Sequence, residues 1–317
     1  MKAVFLDYAT MGHGLNMEPL TSLLPQLKIF DSTGDDEIVE RIGDTEFVFA
    51  NNFRLTDEML AAASQLRYIG LPATGTDNID LDSAKKHGIA VCNIRGYCTR
   101  SVTEHVFAML LTLAHSLNSY VAAVRDGAWQ RSRGACVLTY PVRELSTMTM
   151  GIVGHGDLGA SVARKARDFD MDVIVSARPG SKTVEDGRVS FDELLERSDV
   201  ISLHCPLNDQ TRDLFAADEF QKMKSSAILI NTARGALVDS LALVDALKNQ
   251  QIAAAGIDVL PQEPPSDDDP LLNYPDDNLL VTPHIAWATD KSRQDAIVEL
   301  AANVADFLKG GERNRVA

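Results

Sequence analysis

The sequence has few basic residues, few aromatic residues and no long hydrophobic run. Its 317 residues contain 30 Lys and Arg against 45 Asp and Glu, a formal net charge of −15, and only 6% are aromatic. Nucleic acids and anionic membranes are bound through basic surface, so this acid excess argues against both. The most apolar stretch, residues 106–117, contains His115 and is shorter than the roughly 20 residues that span a bilayer. We expect no nucleic-acid partner and no membrane partner.

Cysteine is also scarce. Cys92, Cys98, Cys136 and Cys205 are scattered and form no CxxC pair. A disulfide framework is typical of small secreted domains, and metal sites use closely spaced ligands. The chain starts directly with a strand-like segment, without the apolar stretch of a secretory signal. These features predict a reduced, cytoplasmic protein without a metal site.

The sequence instead alternates apolar runs with helical patterns, over a length that predicts about two domains. The runs are rich in Val and Ile and continuous, as in parallel strands buried on both faces, which predicts an α/β fold with parallel sheets. The strand-like runs are residues 3–6, 47–50, 68–70, 90–93, 150–154, 172–176, 200–205, 227–232, 254–259 and 279–282. The helical patterns include residues 56–63, 81–87, 101–125, 158–169, 191–197, 241–249 and 290–309.

Three of the helices carry further signals. Ser101 with Glu104, and Ser190 with Glu193, have the spacing of a capping box. The last helix is amphipathic, and we expect its apolar face to be buried. The residues on that face are Ile297, Leu300, Ala301, Val304 and Leu308.

A glycine-rich loop follows the strand at 150–154. Residues 154–159 read Gly-His-Gly-Asp-Leu-Gly and a helical segment follows, which is the strand–GxGxxG–helix order of a dinucleotide-binding loop. Gly154 permits the tight turn, Gly156 lets the backbone approach a pyrophosphate, and Gly159 allows the helix to pack closely on the strand. The helix N-terminus attracts phosphates through its free N–H groups. We predict a dinucleotide site here; the structural alternative is a glycine-rich turn without a ligand.

The end of the next strand bears on the choice of cofactor. A carboxylate about 20 residues beyond the loop would bind the ribose 2′-hydroxyl of NAD(H), but residues 176–178 are Ser-Ala-Arg. Arg178 would attract a 2′-phosphate and Ser176 could add a hydroxyl donor. The sequence therefore slightly favours NADP(H) over NAD(H). Arg178 could instead be an ordinary surface residue at the start of a loop.

Three polar residues come just after separate strands, where parallel sheets place their ligand crevice. They are Arg234, Glu263 and His284. Arg binds a carboxylate with two parallel hydrogen bonds, His transfers protons near neutral pH, and a neighbouring carboxylate favours the imidazolium. Together they suit reversible reduction of a carbonyl group. Taken singly, each has a structural alternative: a salt-bridge arginine, a turn glutamate and a buried histidine.

Several strings resemble the signatures of the D-isomer-specific 2-hydroxyacid dehydrogenases. After the glycine-rich loop come Asn-Thr-Ala-Arg-Gly at 231–235, Asp-Val-Leu-Pro-Gln-Glu-Pro at 258–264 and Thr-Pro-His-Ile-Ala at 282–286. Residues 74–80 resemble the family's substrate-side loop, and residues 101–105 resemble the start of its interdomain helix.

The resemblance implies two Rossmann-like domains with parallel sheets. A discontinuous, flavodoxin-like substrate domain would comprise residues 1–99 and 288–317, and a dinucleotide-binding domain, residues 100–287, would be inserted between them. The resemblance also implies a homodimer, with the helix at 101–125 and the loop after it as the contact. Trp129 in that loop would be either an interface anchor or a core aromatic residue.

The resemblance further implies roles for the site residues. Arg234 would bind the 2-keto acid, and His284, tuned by Glu263, would donate the proton in reduction and accept it in oxidation. Backbone N–H groups of Thr74 and Gly75 would hold the substrate carboxylate, and Asp258 would meet the nicotinamide carboxamide. The implied cofactor contacts are Gly154, His155, Gly156, Asp157, Leu158, Gly159, Ser176, Arg178, His204, Pro206, Thr232, Ala233, Asp258 and Ala286.

The sequence leaves the substrate more open. Residues 93–97 and 126–145 resemble the glycerate dehydrogenase and hydroxypyruvate reductase branch, which implies hydroxypyruvate/D-glycerate or glyoxylate as substrate. That branch often has Asp near position 176, Ala at Thr103 and Gly-Ala-Gly at 73–75, so phosphoglycerate or a bulkier 2-keto acid stays open. A dinucleotide-sensing corepressor with this fold is a further alternative, and the absence of basic arms counts against it.

Overall fold

The computed structural model describes residues 1–51, 53–76, 78–178, 180–181 and 183–317, with Asp35 described in its backbone only. Asp77 of the predicted substrate-side loop therefore lies outside the described residues. The chain divides into two compact units. The first comprises Met1–Cys98 and Trp287–Ala317, and the second comprises Thr99–Ala286.

The first unit is built on a five-stranded parallel sheet. Its strands are β1 Lys2–Phe5, β2 Gln26–Ile29, β3 Phe47–Phe49, β4 Tyr68–Gly70 and β5 Ala90–Cys92, and its helices are α1 Glu18–Thr21, α2 Ile38–Ile42, α3 Asp57–Ala62, α4 Leu81–Lys86 and α11 Asp290–Phe307. The strand order β2-β1-β3-β4-β5, with every pair parallel, is the flavodoxin-like order. The sequence did not predict β2, because this edge strand is mostly exposed and lacks a continuous apolar run.

Both faces of this sheet are buried, as the continuous apolar runs predicted. Val4, Val48 and Ile69 point to one face and pack with residues of α2, α3 and α4. Phe5 and Tyr68 point to the other face, where α11 covers them. The predicted apolar face of α11 is buried except for Leu308, which follows the end of the helix and is 39% exposed, so the prediction for Leu308 was wrong.

The second unit contains a six-stranded parallel sheet. Its strands are β6 Thr149–Val153, β7 Asp172–Val175, β8 Val200–Leu203, β9 Ile228–Asn231, β10 Ala254–Ile257 and β11 Leu279–Val281, and its helices are α5 Thr99–Ala114, α6 Leu117–Arg125, α7 Asp157–Asp168, α8 Phe191–Arg197, α9 Ala217–Lys222 and α10 Ser240–Lys248. The strand order is β11-β10-β9-β8-β6-β7, and a parallel bridge from Ser176 to Val189 marks a rudimentary further strand beside β7. With that bridge included, the order is that of a Rossmann fold, which confirms the predicted fold class.

The predicted helix at 101–125 is wrong in detail. It is two helices, α5 and α6, which meet at a bend of 57°. Ser116 adopts a left-handed conformation with φ of 49°, which interrupts the helical backbone. Ser101 lies inside α5 rather than at a cap, because α5 starts at Thr99. The other predicted capping signal is confirmed, since the Ser190 hydroxyl accepts a hydrogen bond from Glu193 N at the start of α8.

Three further features bear on the class of protein. Within the described residues, no single helix is long and apolar enough to cross a membrane, although the bent pair α5 and α6 would pass a test of length and composition together. All four cysteines are free. The part of the chain that the structure describes contains no cluster of His, Cys, Asp and Glu that could hold a metal ion.

Candidate active site

The glycine-rich loop joins β6 to α7 through a tight turn. Gly154 has φ of +90°, and a Cβ there would lie 2.5 Å from the backbone nitrogen of Cys205. A Cβ at Gly159 would lie 2.0 Å from the carbonyl oxygen of Gly154. Only glycine fits at either position, because the loop packs against the end of β8 and α7 packs against the loop.

The space around this loop suits a pyrophosphate. β6 pairs with β7 on one side and with β8 on the other, so its carboxyl end is the topological switch point where parallel sheets bind ligands. His155, Gly156 and Asp157 are exposed there, and Leu158 is half-buried. A Cβ at Gly156 would meet no atom within 4 Å, so the space above its backbone is open. The first N–H groups of the 12-residue α7 add positive potential at this point.

Two buried polar atoms at the neighbouring strand ends lack a protein partner within the described residues. They are Nδ1 of His204, just after β8, and Oγ1 of Thr232, just after β9. The other ring nitrogen of His204 lies 2.9 Å from Ser202 Oγ, and burial lowers the pKa of His204 to about 4, so its ring is neutral near pH 7. Buried polar groups without partners are rare and costly, and a bound dinucleotide could satisfy both. Pro206 and Ala233, at the same two strand ends, are exposed and half-buried respectively.

Ser176 and Arg178, which the sequence predicted as ligands of a 2′-phosphate, lie at the end of β7. The structure gives the two side chains different surroundings. Ser176 is buried, and its hydroxyl donates to the Ala177 carbonyl at 2.6 Å. The hydroxyl is therefore engaged within the protein. Arg178 is exposed. Arg188 donates to the Ser176 carbonyl at 2.9 Å and pairs with Glu185, so it supports the backbone at this point.

The histidine and glutamate form a direct pair. Nδ1 of His284 lies 2.6 Å from Oε2 of Glu263, and the backbone N–H of Leu260 donates to Oε1 of the same carboxylate at 2.8 Å. The glutamate is thus held at one oxygen and holds the histidine with the other. This arrangement leaves Nε2 of His284 as the ring nitrogen that can face a substrate. The His284 side chain is 42% exposed, so a small molecule can reach it.

The electrostatics of the pair keep Glu263 ionised. Partial burial by itself raises the pKa of this carboxyl group. The hydrogen bond and charge of His284, the Leu260 N–H and the charge of Arg234 outweigh burial, so the pKa is lowered from its ordinary value of 4.5. Glu263 therefore remains a carboxylate near neutral pH.

Arg234 lies at the carboxyl end of β9, on a loop that Asn231 holds in place. The Asn231 side chain is fully buried; it donates to the carbonyl of Arg234 at 2.9 Å and accepts from the N–H of Ala233 at 3.0 Å. Nη1 of Arg234 donates to the Ala233 carbonyl at 2.8 Å, and the side chain is half-buried. Sequence reasoning missed Asn231; the signal was an amide at the end of an otherwise apolar strand.

Asp258 does not face the surface. Its side chain has no exposed area. Its carboxylate accepts hydrogen bonds from the N–H groups of Ile285 and Ala286, at 3.0 and 2.9 Å, and from the Thr282 hydroxyl at 2.5 Å. Asp258 thus supports the turn that carries His284, and the predicted contact with a carboxamide would require part of this carboxylate to become exposed. Ala286 is buried at the end of the turn.

Thr74 and Gly75 belong to the first unit and follow β4. The hydroxyl of Thr74 donates to the Ile94 carbonyl at 2.9 Å, and its own carbonyl accepts from Asn93 Nδ2 at 2.7 Å. Asn93 in turn accepts from the buried Asn303 of α11 at 2.8 Å. The loop is therefore anchored at Thr74, which is itself exposed. Sequence reasoning did not identify Asn93 or Asn303.

Comparison with known proteins places the chain among dehydrogenases. Residues 107–286 match the model of the D-isomer specific 2-hydroxyacid dehydrogenase, NAD binding domain. A glycerate dehydrogenase of Methylorubrum extorquens is 40% identical over 292 residues, 92% of each chain. A putative 2-hydroxyacid dehydrogenase of Haemophilus influenzae is 36% identical over 98% of each chain. A hydroxypyruvate reductase of Blautia hydrogenotrophica is 35% identical over 100% of this chain and 99% of its own.

Two solved structures extend the similarity to three dimensions. An acyclic imino acid reductase in complex with NADPH and D-Arg has a TM-score of 0.88 and 29% identity over 100% of both chains. A D-lactate dehydrogenase from Aquifex aeolicus, complexed with NAD and lactic acid, has a TM-score of 0.83 and 31% identity over 98% of this chain and 96% of its own. The chain belongs to the D-isomer specific 2-hydroxyacid dehydrogenase family and is a hydroxyacid oxidoreductase that uses a nicotinamide cofactor.

Proposed function

We propose that this protein reduces hydroxypyruvate to D-glycerate, or glyoxylate to the corresponding hydroxy acid, in a reversible reaction. The observation that carries the proposal is the pair of His284 and Glu263, with a hydrogen bond of 2.6 Å and the Leu260 N–H behind the carboxylate. Two of the relatives named above, the glycerate dehydrogenase and the hydroxypyruvate reductase, support this choice.

Each residue of the site has its own role in the proposed reaction. The nicotinamide cofactor supplies or takes up the hydride at substrate C2. In reduction, protonated His284 donates from Nε2 to the carbonyl oxygen, and Glu263 stabilises the imidazolium before the transfer. In oxidation the neutral ring accepts the same proton. Arg234 binds the substrate carboxylate through charged hydrogen bonds. Thr74 and Gly75 of the first unit stay in the proposal as residues whose N–H groups bind the substrate carboxylate.

Cofactor binding would use the features of the second unit described above. The loop at 154–159 and the N-terminus of α7 would hold the pyrophosphate, and His204 and Thr232 would each gain a partner. Pro206, Ala233, Asp258 and Ala286 stay in the proposal as contacts nearer the nicotinamide. Domain assignment follows: residues 100–287 would bind the dinucleotide, and residues 1–99 with 288–317 the hydroxy acid.

A substrate panel tests the proposed function. Hydroxypyruvate, glyoxylate, pyruvate and a bulkier 2-keto acid are offered with NADH and with NADPH, and 3-phosphoglycerate with NAD⁺ and NADP⁺. We expect the highest kcat/KM for hydroxypyruvate or glyoxylate. A preference for 3-phosphoglycerate or the bulkier acid would overturn the substrate assignment, and the absence of turnover with every compound would overturn the proposal.

Two variants test the assigned roles. His284→Ala should lower kcat roughly 10²- to 10⁴-fold, the usual contribution of a general acid. Arg234→Ala should lower kcat/KM about 100-fold, because a charged hydrogen-bond partner of the carboxylate is lost. Steady-state kinetics on the preferred substrate decide both. A His284→Ala enzyme with wild-type kcat would remove the proton-transfer role.

We propose NADP(H) as the preferred cofactor, on the basis of the exposed Arg178 and the lack of a carboxylate at residues 176–178. Ser176 contributes less than its sequence position suggested, since its hydroxyl is used by Ala177. Arg178→Ala should weaken NADPH binding roughly 10-fold, the value of a charged hydrogen bond, and leave NADH binding within about twofold. Fluorescence titration measures both dissociation constants, with the exposed Arg197→Ala on α8 as control. Equal weakening of both cofactors would remove Arg178 as a phosphate ligand.

We also propose a cytoplasmic homodimer. Support for the compartment is the set of four free cysteines. Support for the dimer is α6, which has no buried residue, and the apolar side chains exposed on it and on the loop that follows. These residues are Leu117, Val121, Val124, Trp129, Leu138, Tyr140 and Val142. Exposed apolar side chains in such number on one helix and the loop after it are typical of an interface between copies of one chain.

A further inference from the structure

The turn that presents His284 is held from behind by a cluster of two buried and two half-buried polar residues. We call this cluster the turn clamp and define it as Ser101, His105, Asp258 and Thr282. Ser101 and His105 lie on α5, Asp258 follows β10, and Thr282 follows β11. All four belong to the second unit. The hydroxyl of Ser101 donates to the Ala286 carbonyl at 2.6 Å, which fixes the far end of the turn.

Within the clamp, hydrogen bonds run from α5 to the turn in a chain. Nε2 of His105 lies 3.0 Å from the Thr282 hydroxyl and 3.5 Å from Oδ1 of Asp258. The Thr282 hydroxyl donates to that same Oδ1 at 2.5 Å, so the hydroxyl oxygen is available to accept from His105. Asp258 then accepts from the N–H groups of Ile285 and Ala286. The residues on both sides of His284 are thereby tied to one carboxylate, and that carboxylate is tied to α5.

His284 needs this support because its backbone is strained. Its φ is +54°, in the left-handed region that residues other than glycine rarely adopt. Such a conformation is unfavourable and persists only where the surroundings determine it. The N–H of His284 donates to the Asp258 carbonyl at 2.7 Å, so the same residue also fixes the strained position itself.

Helix α5, which carries Ser101 and His105 of the turn clamp, is held in place by its packing. α5 packs against α7, β9 and β10, and its inner residues are buried. A buried carboxylate such as Asp258 is stable only when it is hydrogen-bonded on all sides. On the side of α5, Asp258 accepts from the Thr282 hydroxyl, and His105 Nε2 lies 3.0 Å from that hydroxyl.

We propose that His105 is a positioning residue, which aligns His284 for proton transfer by anchoring Thr282 and Asp258 to α5. This inference rests on the proposed function, because it needs His284 as the proton donor. Loss of the His105 donor would let the turn relax and move the His284 ring away from its aligned position. A displacement of about 1 Å at a catalytic group can reduce the rate roughly 100-fold.

The test compares His105→Leu, which removes the donor, with His105→Gln, whose side-chain amide keeps an N–H at nearly the same reach. His115→Leu is the matched control, since His115 follows the same helix and is only half-buried. We expect His105→Leu to lower kcat about 10- to 100-fold, with the substrate KM within about threefold of wild type. His105→Gln should recover kcat to within about threefold, and His115→Leu should match wild type.

Two further measurements separate positioning from a general loss of structure. Thr282→Val breaks the same chain, so the double variant with His105→Leu should be no slower than the slower single variant. Histidine-ring NMR of the cofactor-free protein should give one sharp His284 signal in wild type and a broadened or split one in His105→Leu. If His105→Leu does not fold, Thr282→Val alone must show the kcat loss and the altered signal.

Each result bears on one proposal. A kcat within about twofold of wild type in folded His105→Leu, a loss confined to KM or Kd, or no recovery in His105→Gln would overturn the role of His105. These results would leave the proposed function intact, provided that the wild-type enzyme turns over and His284→Ala does not. An inactive wild type, or an active His284→Ala, would instead overturn the proposed function.

Discussion

At the residue scale, the chemistry depends on one short contact. Nδ1 of His284 and Oε2 of Glu263 are 2.6 Å apart, and Glu263 is held independently by Leu260 N. The contact selects which ring nitrogen is left for the substrate, and it places a negative charge beside the ring. Both requirements of a proton donor for a carbonyl group, direction and charge, come from the same carboxylate.

Glu263→Gln tests the charge of the pair at neutral pH. The pKa of Glu263 is lowered below 4.5, so the carboxylate is present at every pH where reduction is measured. A neutral amide can still accept a hydrogen bond from His284, but the bond is no longer charge-assisted. Glu263→Gln should therefore lower kcat for keto-acid reduction about 10-fold at pH 7, which steady-state kinetics measure.

Like other paired carboxylates, Glu263 stabilises the folded protein more at neutral pH than at acidic pH. Because the folded pKa is below the unfolded one, Glu263 stabilises the fold above pH 4.5, and this contribution is lost as the pH falls through the folded pKa. Glu263→Gln should thus narrow the difference in melting temperature between pH 7 and pH 4. A wild-type kcat together with an unchanged melting-temperature difference between pH 7 and pH 4 in Glu263→Gln would contradict the pairing.

Prediction from sequence worked at this scale where a residue lies in a contiguous string. Arg234, Glu263 and His284 each stand in a motif directly after a strand, and the structure brings Glu263 and His284 into contact. It worked poorly for Ser176, whose hydroxyl turns to the Ala177 carbonyl, since no pattern reports a rotamer. The role of His105 was not predicted, because the string that contains it indicates only the start of a helix.

At the scale of elements, the loops after β9 and β10 bring their residues to the same place. The two loops can approach each other closely because one of them has a glycine at the contact. Gly235 directly follows Arg234, and a Cβ there would lie 2.0 Å from the carbonyl carbon of Leu260. Leu260 is the residue whose N–H holds Glu263. The loops after β9 and β10 can therefore supply an arginine and a glutamate to the same place only while Gly235 lacks a side chain.

Gly235→Ala should separate these loops. Backbone would have to move, at a cost of about 1–3 kcal/mol, as for overpacking in a core. We expect a lower melting temperature and a kcat/KM reduced at least 10-fold, measured by calorimetry and steady-state kinetics. Gly134→Ala is the control, since a Cβ at Gly134 would lie 3.7 Å from the carbonyl oxygen of Cys136, an ordinary contact distance. Wild-type stability and activity in Gly235→Ala would contradict the close approach.

The break between α5 and α6 also belongs to this scale. A single helix at 101–125 was expected because hydrophobic spacing continues across His115 and Ser116, and Ser116 instead takes φ of 49°. The break gives the two helices different surroundings. α5 is a core helix that carries the turn clamp, whereas α6 has no buried residue.

At the scale of the whole molecule, the exposed apolar side chains of α6 predict the assembly. Val121→Asp places a charge on this surface and should convert a dimer of twice 34.5 kDa into monomers. Sedimentation equilibrium at micromolar concentration measures the mass. Val298→Asp, at a comparably exposed position on α11, should stay dimeric. A monomeric wild type, or a Val121→Asp protein that stays dimeric, would refute the proposed dimer.

The net charge of −15 describes the surface and not the site. The groups proposed to bind anions are Arg234, Arg178, His284 and the N-terminus of α7, all of them positive or partly positive. An acidic protein can thus bind an anionic substrate and an anionic cofactor, because short-range hydrogen bonds in a partly desolvated site outweigh the distant surface charge. We therefore expect the dissociation constants of the substrate and of the cofactor to rise only modestly as the salt concentration increases.

The sequence by itself determined the fold class, the parallel sheets and the three residues of the proposed chemistry. Periodicity and contiguous motifs record which faces are buried and which residues follow a strand, and both are local properties. Only the tertiary structure decided which side chains meet. His105 and Thr282 are 177 residues apart in the chain and 3.0 Å apart in the fold, and Gly235 touches Leu260. Such contacts depend on how helices and strands pack, and no local pattern encodes them.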